Sequence, residues 1–224
     1  RRVSLASPIL SQGKFNTLIN LKRGGFSPRD VDCTYDPATT TLGDAIKAMV
    51  AECARLVRDE GVTILVLSDR AIAPERLPIH SLLATGAVHH HLIGQGLRCD
   101  ANIVVETASA RDSHQVACLL GFGATAVYPY LAYSVLEDLM RCGELLGDPG
   151  VCFKNYRKGI NKGLLKIMSK MGISAVSSYR GAQLFEAIGL ADEVVDSCFC
   201  GVTSRIAGAG FAELEADQRR LALD

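Results

Sequence analysis

The residues able to do chemistry in this chain collect where three apolar runs end. Ser68-Asp69-Arg70 follows the first run, Glu106-Thr107 closes the second, and Tyr130 lies just past the third. Two carboxylates, a guanidinium, a hydroxyl and a phenol in one crevice could hold a small polar ligand. Joined by His114, Asp69 and Glu106 could also form a general acid–base group. The plainer alternative is that these polar groups cap neighbouring helices or pair with each other. His114 opens a predicted helix, where a surface position suits it equally well.

Three further clusters invite a chemical reading. His89, His90 and His91 are consecutive, and on a helix consecutive side chains point about 100° apart. They cannot converge on one ion, because helical zinc sites use i, i+4 spacing. His80 and His91 share a face but are separated by roughly 16 Å along the axis. The expectation is one buried, hydrogen-bonded histidine, with the others facing solvent or a partner domain. Lys154, Lys158, Lys162, Lys166 and Lys170 recur every four residues and read as a solvated helix face or an anion-facing interdomain surface. The glycines of GFGA (121–124) and AGAG (207–210) match neither GxGxxG between strand and helix nor GxxxxGK[ST], so neither reads as a phosphate loop.

The elements that would position these groups follow from periodicity. Leu42, Ala45, Ile46, Met49, Val50, Cys53, Leu56 and Val57 follow i, i+3, i+4, i+7 spacing and predict a helix over 41–60, stopped by Gly61. Apolar runs at 62–67, 101–107 and 124–128 predict strands, and 79–95 and 109–120 predict the helices between them. This β-α-β-α-β order implies an α/β fold with a mostly parallel sheet and right-handed crossovers. Ligands of such sheets sit at the C-terminal strand ends, which is where Asp69, Arg70, Glu106, Thr107 and Tyr130 fall. Before it, 1–40 reads as irregular, with a short apolar segment around Phe15–Leu21 and a possible strand at 31–35.

Beyond it, 133–142 predicts a short helix and 143–150 a connector. A long helix follows over 155–171, burying Ile160, Leu164, Ile167, Met168 and Met171. Then come a strand at 173–178, short helices at 183–188 and 192–199, a loop at 204–210 and a terminal helix at 211–221. The connector predicts two parts: 1–150 as the α/β unit, and 151–224 as a mainly helical, incomplete second domain.

The chain has 224 residues with 24 basic and 24 acidic side chains. Zero net charge gives no long-range attraction for nucleic acid or an anionic membrane. No apolar run reaches the ~20 residues needed to span a bilayer. Eight irregularly spaced cysteines without a CxxC pair point to reduced thiols in a cytoplasmic protein. Only Cys198 and Cys200 are spaced as a redox or metal pair. A start on Arg1-Arg2 and an end at the close of a helical pattern suggest a fragment of a longer polypeptide.

Several phrases carry more information than their periodicity. VLSDR (66–70), HSLLATGAVHHHLI (80–93), LRCDANIVVETASARDSHQVACLLGFGATAVYPYLAY (97–133), NYRKGINKGLLKIMSKMGIS (155–174) and SYRGAQLFEAIGL (178–190) resemble, in this order, the large subunit of bacterial glutamate synthase. The resemblance covers essentially the whole chain. It implies that 1–150 is the later part of that family's central domain, and that 151–224 begins its FMN-binding synthase domain. The family's enzyme makes two glutamates from glutamine and 2-oxoglutarate with reducing equivalents. It would imply FMN and an iron–sulfur cluster in the parent enzyme but neither in this stretch. Its partners would be the amidotransferase and FMN domains of the same polypeptide and a small NADPH-oxidising subunit. The family's nucleophilic cysteine at a mature N-terminus has no counterpart at Arg1. Its C-x5-C-x4-C cluster motif is also missing, since no two cysteines here stand six or five positions apart. The resemblance therefore places no catalytic residue in this chain, and predicts an interdomain scaffold that is inactive alone. The alternative is a stand-alone α/β module binding a small ligand at Asp69, Glu106 and Tyr130.

Overall fold

The computed structural model describes residues 3–21 and 24–223. The first part runs α1 (Gln12–Ile19), β1 (Pro28–Asp32), β2 (Thr34–Tyr35), α2 (Leu42–Glu60), β3 (Ile64–Ser68), β4 (Leu77–Pro78), α3 (Ser81–Gly94), β5 (Asn102–Glu106), α4 (Ser113–Gly121), β6 (Ala126–Tyr128) and α5 (Tyr130–Arg141). Strands β1, β3, β5 and β6 form one parallel sheet in that order. Its register sets Val66 beside Val104, and Val104 beside Ala126.

The continuous apolar character of β3 has a direct cause. Leu65 and Leu67 face a core built with α2, α3 and α4, while Ile64 and Val66 face a second core with Phe15, Leu18 and Tyr133. Alternate side chains point to opposite faces of a strand, so a strand covered on both sides needs apolar residues at every position. The segment expected to be irregular supplies part of the second cover. There α1 stacks Phe15 on Tyr128 at 4.4 Å between ring centroids. The single strand expected at 31–35 is divided at Cys33: β1 pairs in parallel with β3, and β2 pairs antiparallel with β4.

Local chemistry fixes the helix ends. Thr41 Oγ1 accepts from the Asp44 N–H, and Gly61 ends α2 in the left-handed region at φ 64°. Asp112 and Gln115 close a reciprocal capping box on α4.

The second part runs α6 (Pro149–Lys170), α7 (Val176–Tyr179), β7 (Glu186–Leu190), α8 (Asp192–Cys198), β8 (Thr203–Ala209) and α9 (Phe211–Leu223). Several expectations are corrected here. α6 begins at Pro149 because Asp148 caps it by accepting from the Val151 N–H at 3.0 Å, with proline in the first turn. That shortens the connector. Met171 is half-exposed rather than buried. The strand expected at 173–178 is instead a turn followed by the short helix α7. The helix expected at 183–188 and the loop expected at 204–210 are instead β7 and β8, paired in parallel. Gln183 at φ 51° and Gly181 at φ 68° interrupt any helix there. Gly208 is required because a Cβ on it would lie 2.3 Å from the Gly189 carbonyl oxygen.

This second part packs on the first. Ser113 Oγ donates to the Ile160 carbonyl at 3.3 Å, and Tyr156 Oη donates to the Arg111 carbonyl at 3.0 Å. Ile160, Leu164, Met168, Val194 and Cys198 share the larger core with α2, α3 and α4. Gly86 of α3 lets α8 approach, since a Cβ there would fall 2.0 Å from the Cys198 carbonyl oxygen.

Candidate functional site

The parallel sheet brings Asp69, Arg70, Glu106, Thr107 and Tyr130 together at its C-terminal edge, because β3 and β5 pair through Ser68 and Glu106. Asp69 and Thr107 are buried, Glu106 is nearly so, and Arg70 is half-exposed. The two carboxylates belong to different hydrogen-bond sets. Asp69 Oδ2 accepts from Thr107 Oγ1 at 2.6 Å, and both its oxygens accept from the Ala108 N–H at 3.0 and 3.1 Å. Glu106 Oε2 accepts from Ser68 Oγ at 2.6 Å and Oε1 from Arg70 Nε at 3.0 Å. The Arg70 guanidinium in turn lies 4.3 Å over the Tyr130 ring, a cation–π contact.

The electrostatics of Asp69 reflect a contest. Burial raises its pKa, while the Thr107 hydroxyl, Tyr130 and the Ala108 N–H pull it back, leaving a net upward displacement. The Tyr130 phenol is close enough to feel Asp69, and burial together with that negative charge raises its pKa. It stays protonated at neutral pH. Ser109 extends the set inward: its hydroxyl is 3.0 Å from Thr107 Oγ1 and 2.7 Å from Ser81 Oγ. Each carboxylate oxygen already has a protein donor. The arrangement ties the strand ends to the start of α3 and to the loop before α4.

His114 does not join this set. Its Nε2 is 3.7 Å from Cys118 Sγ on the outer side of α4, and no hydrogen bond among the described residues links it to Asp69 or Glu106. His89 is the buried member of the histidine run; His90 and His91 are half-buried. His89 Nδ1 accepts from Arg98 Nε at 2.7 Å. Burial, and then Arg98, His90 and Arg180, push its pKa down to about 3, so it is neutral with its proton on Nε2. His80 caps α3 by accepting from the Leu82 N–H at 3.3 Å. The five lysines of α6 are all exposed. Cys198 is buried and Cys200 exposed, so the closest-spaced cysteines face different surroundings and do not fit a shared metal or cluster. Among the described residues no helix is long and apolar enough to cross a membrane.

Sequence reasoning named Ser68 without giving it a role, and missed Ser81, Ser109 and Arg98. Ser68 could have been read from its place beside Asp69 at a strand end. Ser81 and Ser109 meet each other only in the fold, as Arg98 meets His89 and Gly123.

A family profile described as "Glutamate synthase central domain" matches residues 1–191. The chain is 41% identical over 225 residues to the NADH glutamate synthase of Schizosaccharomyces pombe, a match covering 97% of this chain and 10% of that protein. It is 43% identical over 231 residues to the chloroplastic ferredoxin-dependent glutamate synthase of Oryza sativa subsp. japonica, covering 95% of this chain and 14% of that protein. With the NADPH glutamate synthase large chain of Bacillus subtilis it shares 36% identity over 220 residues, covering 98% of this chain and 14% of that protein. The chain thus spans 10% to 14% of the length of these relatives.

Proposed function

The chain belongs to the glutamate synthase central domain family, and from that premise we propose that it is an interdomain scaffold within a glutamate synthase polypeptide. In this reading the whole enzyme converts glutamine and 2-oxoglutarate to two glutamates. This stretch holds the ammonia-producing and flavin domains in place and contributes no reacting group. Residues 1–150 would be the later part of the central domain, and 151–224 the opening of the FMN-binding domain, with FMN and the iron–sulfur cluster held elsewhere in the polypeptide. We assign it to the bacterial, NADPH-dependent type with a small NADPH-oxidising subunit as partner, on the phrases quoted above. A cytoplasmic location goes with that assignment.

One observation carries the scaffold reading. The polar groups at the strand ends, where an α/β sheet binds ligands, are taken up by one another and by backbone N–H groups. A ligand bound at Asp69, Glu106 and Tyr130 would have to compete with these bonds for the same oxygens.

Thr107→Val and Glu106→Gln in the intact polypeptide test this. Removing one partner of a buried hydrogen bond costs about 1–3 kcal/mol, so both variants should unfold at lower temperature. Below that temperature, kcat/KM for glutamate formation should stay within about twofold of the parent, far from the 10²–10⁴-fold contribution of a general acid or base. A hundredfold loss with unchanged unfolding temperature would assign the crevice a chemical role. The isolated chain should also show no thermal shift with FMN, glutamine or 2-oxoglutarate.

A further inference from the structure

The long helix α6 holds six of the chain's 24 basic residues and none of its 24 acidic ones. Five of the six, Lys154, Lys158, Lys162, Lys166 and Lys170, are exposed. No ion pair among the described residues includes any of them. Other helices behave differently. α2 pairs Lys47 with Asp44 and Arg55 with Glu52, α5 pairs Arg141 with Asp138, and α9 pairs Arg219 with Glu215 and Arg220 with Asp217.

Four residues carry a helix about 40° past a full turn, so the five lysines fan across about 160° of its surface. That arc is turned away from the core, since Ile160, Leu164 and Met168 are buried on the opposite side. Within it lie Val151 and Leu165, 53% and 67% exposed. Like charges four residues apart repel and weaken their own helix. The helix dipole favours cations in the last turn, which accounts for Lys170 and not for Lys154, Lys158 or Lys162. A cationic face without acidic neighbours, with two aliphatic side chains set in it, is complementary to an anionic surface.

The chemistry of the face narrows what that surface is. α6 spends its apolar side on the core and has none left to enter lipid. Nucleic acid calls for a basic excess or for stacking rings, whereas the chain is neutral and the arc holds no aromatic residue. An acidic protein surface remains. The chain spans only 10% to 14% of the length of its relatives, so other parts of such a polypeptide are at hand to supply it.

We propose that this face of α6 docks an acidic protein surface carried elsewhere in the same polypeptide, an inference that rests on reading the chain as part of a longer glutamate synthase. Lys158, Lys162 and Lys166, at the middle of the arc, make the charge contacts, and Leu165 makes an apolar one. Because α6 packs on α4 and α5, docking there fixes the incoming part against the first part of this chain.

The test is acetylation of lysines by an N-hydroxysuccinimide ester on the complete polypeptide that carries this sequence, resolved by peptide mass spectrometry. Rates are compared with those of a synthetic peptide of residues 149–170. Two salt concentrations are used, about 0.1 M and about 1 M NaCl, between which the screening length falls from about 10 Å to about 3 Å. In the lower salt, Lys158, Lys162 and Lys166 should react about fivefold more slowly in the polypeptide than in the peptide, as for a face left free only a minor fraction of the time. In the higher salt the difference should shrink to about twofold or less, because screening releases the charge contacts. Rates equal to the peptide's in both salts overturn the proposal. Protection that salt does not change also overturns it, since charge is then not what holds the cover. So does protection that appears only when a separate subunit is added. As a second measurement, Lys162→Glu, a change on the exposed arc, should restore fast labelling of Lys158 and Lys166, and unchanged protection overturns the face as drawn. Glutamate formation by the same preparation checks the underlying reading separately. A preparation that makes glutamate while its α6 lysines label freely loses the docking face and keeps that reading, and one that protects them without making glutamate does the reverse.

Discussion

Among the described residues there are two parallel sheets, and one of them is covered on both faces while the other is not. In the four-stranded sheet, Leu65 and Val66 are neighbours in sequence and face opposite cores, yet both are fully buried. In the two-stranded sheet, β7 and β8 are also joined through a helix, α8, but Ile188 is 66% and Ile206 59% exposed. The difference lies in what covers the strands. Three helices lie on one face of the larger sheet, and α1 and α5 lie on the other. The smaller sheet has α8 against β7 and α9 against β8, and neither covers Ile188 or Ile206. Parallel strands occur almost only with both faces covered, so the β7–α8–β8–α9 stretch has the form of the first units of a larger layer.

The sharpest way to break this comparison is to make the same kind of deletion in each sheet. Ile103 in β5 is fully buried. Ile103→Ala should destabilise the chain by about 2–5 kcal/mol, the usual range for a large aliphatic residue cut down in a core. Denaturant unfolding followed by circular dichroism measures it. A loss under about 1 kcal/mol, below that range, would mean that the sheet is not the stability core.

A second substitution asks whether the two parts unfold together. A Cβ at Gly86 would lie 2.0 Å from the Cys198 carbonyl, and backbone cannot move aside as a flexible side chain can. Gly86→Ala should therefore cost about 1–3 kcal/mol as overpacking. It should speed amide exchange in α8, at Val194 and Val195, more than in β3. Equal acceleration at Leu65 and Val66 would show one cooperative unit.

The contrast between the sheets also explains what could be read in advance. α2 was legible because its apolar spacing and Gly61 are local signals, and β3 and β5 because burial on both faces leaves an unbroken apolar run. β7 and β8 were not legible. Phe185-Glu-Ala-Ile188 has spacing that suits a helix, and Thr203–Ala209 is rich in glycine and alanine with no alternation. Only their mutual pairing makes them strands, and pairing across a helix is invisible to a local window. The same distinction holds among polar residues. Asp69 and Glu106 could be placed by their position at strand ends. Arg98 could not, because its acceptors at His89 and Gly123 are gathered only by the fold.

Acid should loosen the junction of the two parts through His89. Its pKa falls from 6.5 to about 3 in the folded chain. The unfolded chain therefore takes up a proton as pH drops below 6.5, while the folded chain does not. The stability contribution is complete above pH 6.5 and is lost as pH falls toward 3. Other groups titrate in the same range, so the quantity to measure is the difference from His89→Asn, which keeps an acceptor for Arg98 but cannot be protonated there. The advantage of the parent over this variant should shrink by about 1 kcal/mol between pH 6.5 and 5.5, near the one-proton limit of linkage. A difference that does not change with pH would mean that His89 is accessible to protons when folded.

The smallest effect is the one that bears most directly on the uncovered sheet. Ile188→Ser removes an aliphatic side chain that is two-thirds exposed, so in the isolated chain it should change stability by less than about 0.5 kcal/mol, as surface substitutions do. In the complete polypeptide the outcome should differ. If later residues cover β7 and β8, the same substitution removes a buried side chain and should cost about 2 kcal/mol or more, in the core range. The ratio between the two measurements reports the missing cover independently of any catalytic assay. Near-neutral values in both settings would leave β7–β8 as a finished two-stranded sheet, and would remove the structural support for reading residues 151–224 as the start of a second domain.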